Sequence, residues 1–141
     1  MPSRLFRLLA EAVISLVLCA TVQAHHSQSE FDFKSVVEVE GRVTKVEWKS
    51  PHARLYVDAP DAHGKVVNWN FELPSPLTLM RRGWKRDSLK PGDRVRVKAA
   101  RARNFPTIAY ANVIRDASGK PLFTGVTPIY DPGSSPRSTD Q

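Results

Sequence analysis

Between positions 37 and 73 the chain changes polarity at almost every step. Val37, Val39, Gly41 and Val43 alternate with Glu38, Glu40, Arg42 and Thr44, a period of two that belongs to a strand with one face on a core. The phase then slips, because the next apolar residues, Val46 and Trp48, fall on even numbers. One extra residue near Thr44-Lys45 accounts for the slip as a bulge, which bends the strand. A long, bent first strand is what a small closed sheet requires.

The remaining segments follow the same logic. Ser50-Pro51-His52 interrupts the strand, and Leu55, Val57 and Ala59 then alternate with Arg54, Tyr56 and Asp58. A turn at 61–64 leads into Val67, Trp69, Phe71 and Leu73, with Asn68, Asn70 and Glu72 expected to face out, so a hairpin is predicted. Ser75 as N-cap, Pro76 at the first helical position and Gly83 as the stop predict a short helix over 76–82, with Trp84 folding back on it. The turn Lys90-Pro91-Gly92-Asp93 opens a fourth strand over 94–98, residues 101–106 form a loop, and 107–114 form a fifth strand. A turn at 116–119 leads to a short segment at 121–123. Three strands, a helix and two strands predict an all-β fold with one short helix, a small OB-like five-stranded barrel. A small open β-sandwich is the alternative.

The ends of the chain read differently. Arg4 and Arg7 precede an apolar run at 12–20, and Val22-Gln23-Ala24 resembles a cleavage site, so residues 1–24 read as a secretory signal peptide. The run falls short of the roughly 20 residues that span a bilayer, and no transmembrane segment is expected after cleavage. Residues 25–34 are expected to form a polar arm, 35–126 the domain, and 127–141, with three prolines, a disordered tail. The single cysteine, Cys19, leaves with the signal. The mature chain is therefore expected to have no disulfide and no thiol chemistry, although export takes it to an oxidising compartment.

Several short pieces taken together resemble a family of small exported bacterial proteins classed as a domain of unknown function. They are His25-His26-Ser27, Trp48-Lys49-Ser50-Pro51-His52, residues 69–72, Ser75-Pro76, Arg82-Gly83-Trp84 and Leu89-Lys90-Pro91-Gly92-Asp93. The resemblance runs from about residue 25 to residue 123. It implies export to the periplasm of a Gram-negative bacterium, or secretion, and a small β-rich domain. It implies no reaction.

Two constellations are candidates for function. The net charge of +7 is concentrated, since residues 81–103 hold ten basic and two acidic side chains. Arg94, Arg96 and Lys98 fall on one face of the fourth strand, with Glu38 and Glu40 available on the first to neutralise part of it. Arg101, Arg103 and Phe105 follow in the loop, where an OB-like fold places a ligand-binding segment together with the loop at 50–52. This predicts recognition of an anionic ligand or an acidic partner protein by a monomer. Export argues against nucleic acid. The second constellation is nitrogen-rich: cleavage after Ala24 makes His25 the amino terminus, with His26 beside it and His52 in a loop. Such donors favour Cu(II), which heads the affinity order of the divalent first-row ions. His63 is expected to be simply exposed in the hairpin turn. No Ser/His/Asp order, His-Glu-x-x-His motif or phosphate-binding glycine loop is present, so no enzyme is predicted. The three tryptophans are expected in the core.

Overall fold

The computed structural model describes residues 29–125. The segment 1–24 read as a signal peptide, His25, His26 and the tail at 127–141 lie outside the described residues. The chain divides into two compact units, residues 1–30 and residues 31–141.

The second unit contains six strands and one short helix: β1 (Phe31–Glu47), β2 (Arg54–Pro60), β3 (Val66–Glu72), α1 (Pro76–Arg81), β4 (Arg94–Ala102), β5 (Ile108–Asp116) and β6 (Pro121–Thr124). All neighbouring strands pair antiparallel except β3 and β5, which run parallel from Asn70↔Ile108 to Glu72↔Tyr110. That parallel contact closes a ring in the order β1, β2, β3, β5, β4 and back to β1. The connectivity is the OB-like order expected, with a sixth strand added: the segment read as a short extension after 120 is β6, paired with the second half of β5.

One strand serves two partners. The first part of β1 pairs with β4 from Phe31↔Ala102 to Arg42↔Arg94, and its last part pairs with β2 from Arg42↔Asp58 to Glu47↔Arg54. The expected bulge is present, with the register shifting between Val43 and Lys45. β1 also begins earlier than the polarity pattern indicated, so residues 31–34 belong to the sheet and not to an arm. The reason is an aromatic contact: Phe31 and Phe33 lie with ring centres 5.7 and 6.0 Å from Tyr110 on β5. Phe31 is buried, but it packs apart from the main core.

That core fills the ring. Val39, Val43, Leu55, Val57, Phe71, Val95, Val97 and Ile114 point inward, and Ala53, Ala59, Ala99, Ala109 and Ala111 keep the interior narrow enough for the circuit to close. α1 plugs one end with Leu79. Its caps are those read from the sequence: Ser75 Oγ accepts from the Thr78 N–H at 3.2 Å, Pro76 opens the first turn, and Gly83 takes a φ of 87°. Trp84 does fold back, with its N–H bonded to the Leu79 carbonyl at 3.0 Å and its indole Nε1 donating to the Leu122 carbonyl at 2.7 Å. Trp84 is buried, while Trp48 and Trp69 are partly buried against the core.

Strand direction sets which loops meet. The β1–β2 loop lies at the end that carries α1, tied there by the Ala53 N–H to the Pro74 carbonyl at 3.2 Å and the Leu73 N–H to the Ala53 carbonyl at 2.9 Å. The β2–β3 turn lies at the opposite end, while the β4–β5 loop returns beside the last residues of β3, where the Asn70 N–H reaches the Thr107 carbonyl at 2.9 Å. The outward side of β2 and β3 runs between the two ends.

Candidate functional site

The basic side chains are split between two places. On β4, Val95 and Val97 are buried while Arg94 and Arg96 are exposed and Lys98 is half-buried, so these three cations share the outward face that the alternation predicts. β1 lies alongside, placing Glu38 opposite Lys98, Glu40 opposite Arg96 and Arg42 opposite Arg94. Arg96 donates to Glu40 Oε2 from Nη2 at 2.8 Å and Nε at 3.3 Å, and its Nε is 3.6 Å from Glu38 Oε1. The hydrogen bond and charge of Arg96 hold the Glu40 carboxyl below its usual range.

Arg42 and Arg94 are different. They stand directly opposite one another with like charge, an arrangement that destabilises a strand pair. Arg42 Nη1 donates to the Gly92 carbonyl at 3.0 Å. Among the described residues no carboxylate oxygen comes within 4.0 Å of either guanidinium. Arg115, opposite Arg96 on β5, donates to the Gly119 carbonyl at 3.0 Å. A shallow cleft of about 200 Å³ is walled by Arg94, Arg96, Arg115, Glu40, Asp116 and Ser118.

Arg101 does not join the row. β4 continues to Ala102, past the point where a loop was expected, and Arg101 sits over the Trp69 ring at 5.4 Å from its centre. Trp69 in turn stacks on Phe71, with ring centres 5.7 Å apart and planes within 8°. The Arg101 side chain thus covers one end of the core. Arg103 Nη1 lies 4.0 Å from Asp32 Oδ2, and Phe105 is 57% exposed.

The sequence reading missed Glu72. Alternation sends it outward, and it does point away from the core, yet the Glu72 side chain is only 5% exposed. It is enclosed between Arg54 on β2 and Tyr110 on β5, its two cross-strand neighbours. Arg54 Nη2 donates to Glu72 Oε2 at 3.1 Å and Arg54 Nη1 to Asn70 Oδ1 at 3.2 Å. Burial, and then the Glu72 charge, pushes the Tyr110 phenol above its ordinary range. His52, from the β1–β2 loop, brings Nδ1 to 3.6 Å from Glu72 Oε1, and that Nδ1 is itself buried without a hydrogen bond among the described residues. Hairpin arithmetic held the signal: a turn centred on 63 pairs 54 with 72, and so sets a base, an acid and the nearby histidine on one patch.

Nearby, Trp48 Nε1 is buried without a hydrogen bond among the described residues, and the Arg86 guanidinium lies 5.9 Å from the centre of the Trp48 ring. His63 is exposed in the β2–β3 turn, as expected. Among the described residues no three His, Cys, Asp or Glu side chains converge on one point, and no helix is long and apolar enough to cross a membrane.

No curated protein and no solved structure matches the chain. A family model described as a family of unknown function, DUF6152, matches residues 12–109. That span holds five of the six β-strands in whole or part, the helix, His52, Glu72 and the basic face of β4. The chain belongs to this DUF6152 family.

Proposed function

We propose that the chain is an exported binding module, with no reaction of its own, that takes an extended anionic partner along the outward side of β4. The observation that carries this reading is the cross-strand pair Arg42 and Arg94, neither of which has a carboxylate oxygen within 4.0 Å among the described residues. Two like-charged side chains at opposed register positions are relieved when an anion binds beside them. β4 offers nine residues, about 30 Å of strand, and Arg103 and the exposed Phe105 follow in the loop beyond its end. That length suits an anionic polymer or an acidic segment better than a compact ion. Arg96 contributes less, because Glu40 and Glu38 already hold it.

The experiment is binding of a sulfated polysaccharide at rising salt. Affinity is expected to fall with salt and to drop in Arg42→Ala, Arg94→Ala and Arg103→Ala, with a smaller loss in Arg96→Ala. Salt-insensitive binding, or binding indifferent to Arg42 and Arg94, refutes the reading.

A second reading is copper binding by the processed amino terminus, using His25, His26 and His52. The buried Nδ1 of His52, which makes no hydrogen bond among the described residues, favours it. One residue added ahead of His25, or His26→Ala, is expected to cut Cu(II) affinity sharply; calorimetry of correctly processed protein with no tight copper ends this reading.

A further inference from the structure

We infer that His52 and Glu72 form a two-ligand site for a divalent first-row metal ion on the outward face of β2 and β3. The site shares His52 with the amino-terminal copper reading but stands without His25 and His26.

Geometry is the first argument. His52 Nδ1 and Glu72 Oε1 face each other at 3.6 Å, too long for a hydrogen bond between them. Metal–nitrogen and metal–oxygen bonds of about 2.0–2.2 Å at a tetrahedral angle set two ligand atoms about 3.3–3.5 Å apart. The pair is thus within a few tenths of an ångström of one edge of a zinc tetrahedron.

The surroundings are those of a supported ligand. Arg54 Nη2 holds Glu72 Oε2 at 3.1 Å and is itself steadied by Asn70, so the carboxylate is oriented with Oε1 toward His52. A group that fixes a ligand from behind in this way commonly sets metal affinity as much as the ligand does. His52 is held by its chain neighbour, since both backbone groups of Ala53 are tied to the end of β3. The His52 side chain is 30% exposed while Nδ1 and Glu72 Oε1 are themselves buried, so an ion between them would be held out of bulk water. Imidazole with carboxylate selects Zn²⁺ or Cu²⁺ over Mg²⁺ and Ca²⁺, which prefer all-oxygen shells.

Zn²⁺ and Cu²⁺, each as the metal alone, are titrated calorimetrically into the full processed chain carrying His25→Ala and His26→Ala. One equivalent is expected to bind, with affinity falling at least about tenfold in both Glu72→Gln and His52→Gln. The Cu²⁺ complex is expected to show one imidazole nitrogen by electron paramagnetic resonance, lost in His52→Gln. His52→Gln lies on a half-exposed loop and carries the test should Glu72→Gln not fold. If the chain without His25 and His26 binds no metal while the parent does, the amino-terminal reading survives and this inference fails. Binding unchanged by both substitutions overturns it as well.

Discussion

Arg54 and Glu72 meet at 3.1 Å across the β2–β3 pair, on the side of the sheet turned away from the core. The carboxylate is buried and the guanidinium about one-third exposed, so the two ends of this bond differ in what they lose when it is broken. Removing Arg54 costs a desolvated carboxylate its charged partner, whereas removing Glu72 leaves a cation that water already reaches in part.

Arg54→Ala is therefore expected to destabilise the fold by about 1–3 kcal/mol. Arg54→Ala/Glu72→Gln should be less destabilised than the single Arg54 variant. Urea unfolding of the three proteins checks this, and simple addition of the two single effects would show that the pair is not coupled.

Gly41 sits where β1 crosses from β4 to β2. A Cβ there would collide with the Asp58 carbonyl oxygen and come within 2.8 Å of Val57 Cγ1. The Asp58 oxygen is backbone and cannot swing aside, so Gly41→Ala is expected to cost about 1–3 kcal/mol. A melting temperature equal to the parent's would mean that the crossing is looser than this.

Trp84 ties the end of α1 to β6 through its indole N–H to the Leu122 carbonyl at 2.7 Å and its edge-on contact with Phe123 at 6.0 Å. Trp84→Phe keeps most of the ring volume and removes the donor, for an expected loss of about 1–2 kcal/mol. Trp84→Ala is expected to lose about 3–5 kcal/mol. Equal losses in the two variants would assign the whole effect to packing.

Three carboxyls are held below their ordinary range: Glu40 by Arg96, Glu47 by Lys45 and then Tyr56, and Asp116 by Ser118 and then the Lys120 backbone. A carboxyl with a depressed folded-state pKa contributes stability above its unfolded value, here near 4.5 for the glutamates and 3.8 for the aspartate. That contribution is lost as pH falls through the folded values. The melting temperature should thus be level through neutral pH and decline below about pH 4.5, with a shallower decline in Glu47→Gln and Asp116→Asn. A decline of unchanged steepness in both variants would place the acid sensitivity elsewhere.

Local features were legible because they are local. The bulge after Val43 could be read from a slip in phase, the helix ends from Ser75, Pro76 and Gly83, and the outward row Arg94, Arg96 and Lys98 from alternation alone. Arg101 was misplaced because alternation cannot say that Trp69, 32 residues earlier, offers an aromatic face to its guanidinium. Residues 31–34 looked like a polar arm because Asp32 and Lys34 interrupt the pattern, while the partner that draws Phe31 and Phe33 into the sheet is Tyr110.

The sequence by itself determined the middle of each main strand, the turns and the helix, and which side of those strands meets the core, since these follow from backbone preference and a period of two. Only the tertiary structure decided that β3 lies against β5, closing the ring and enclosing Glu72 between Arg54 and Tyr110 within reach of His52. The reason is physical: alternation records a residue's side of its own strand, but burial on the outward side depends on which neighbours the long-range register brings there.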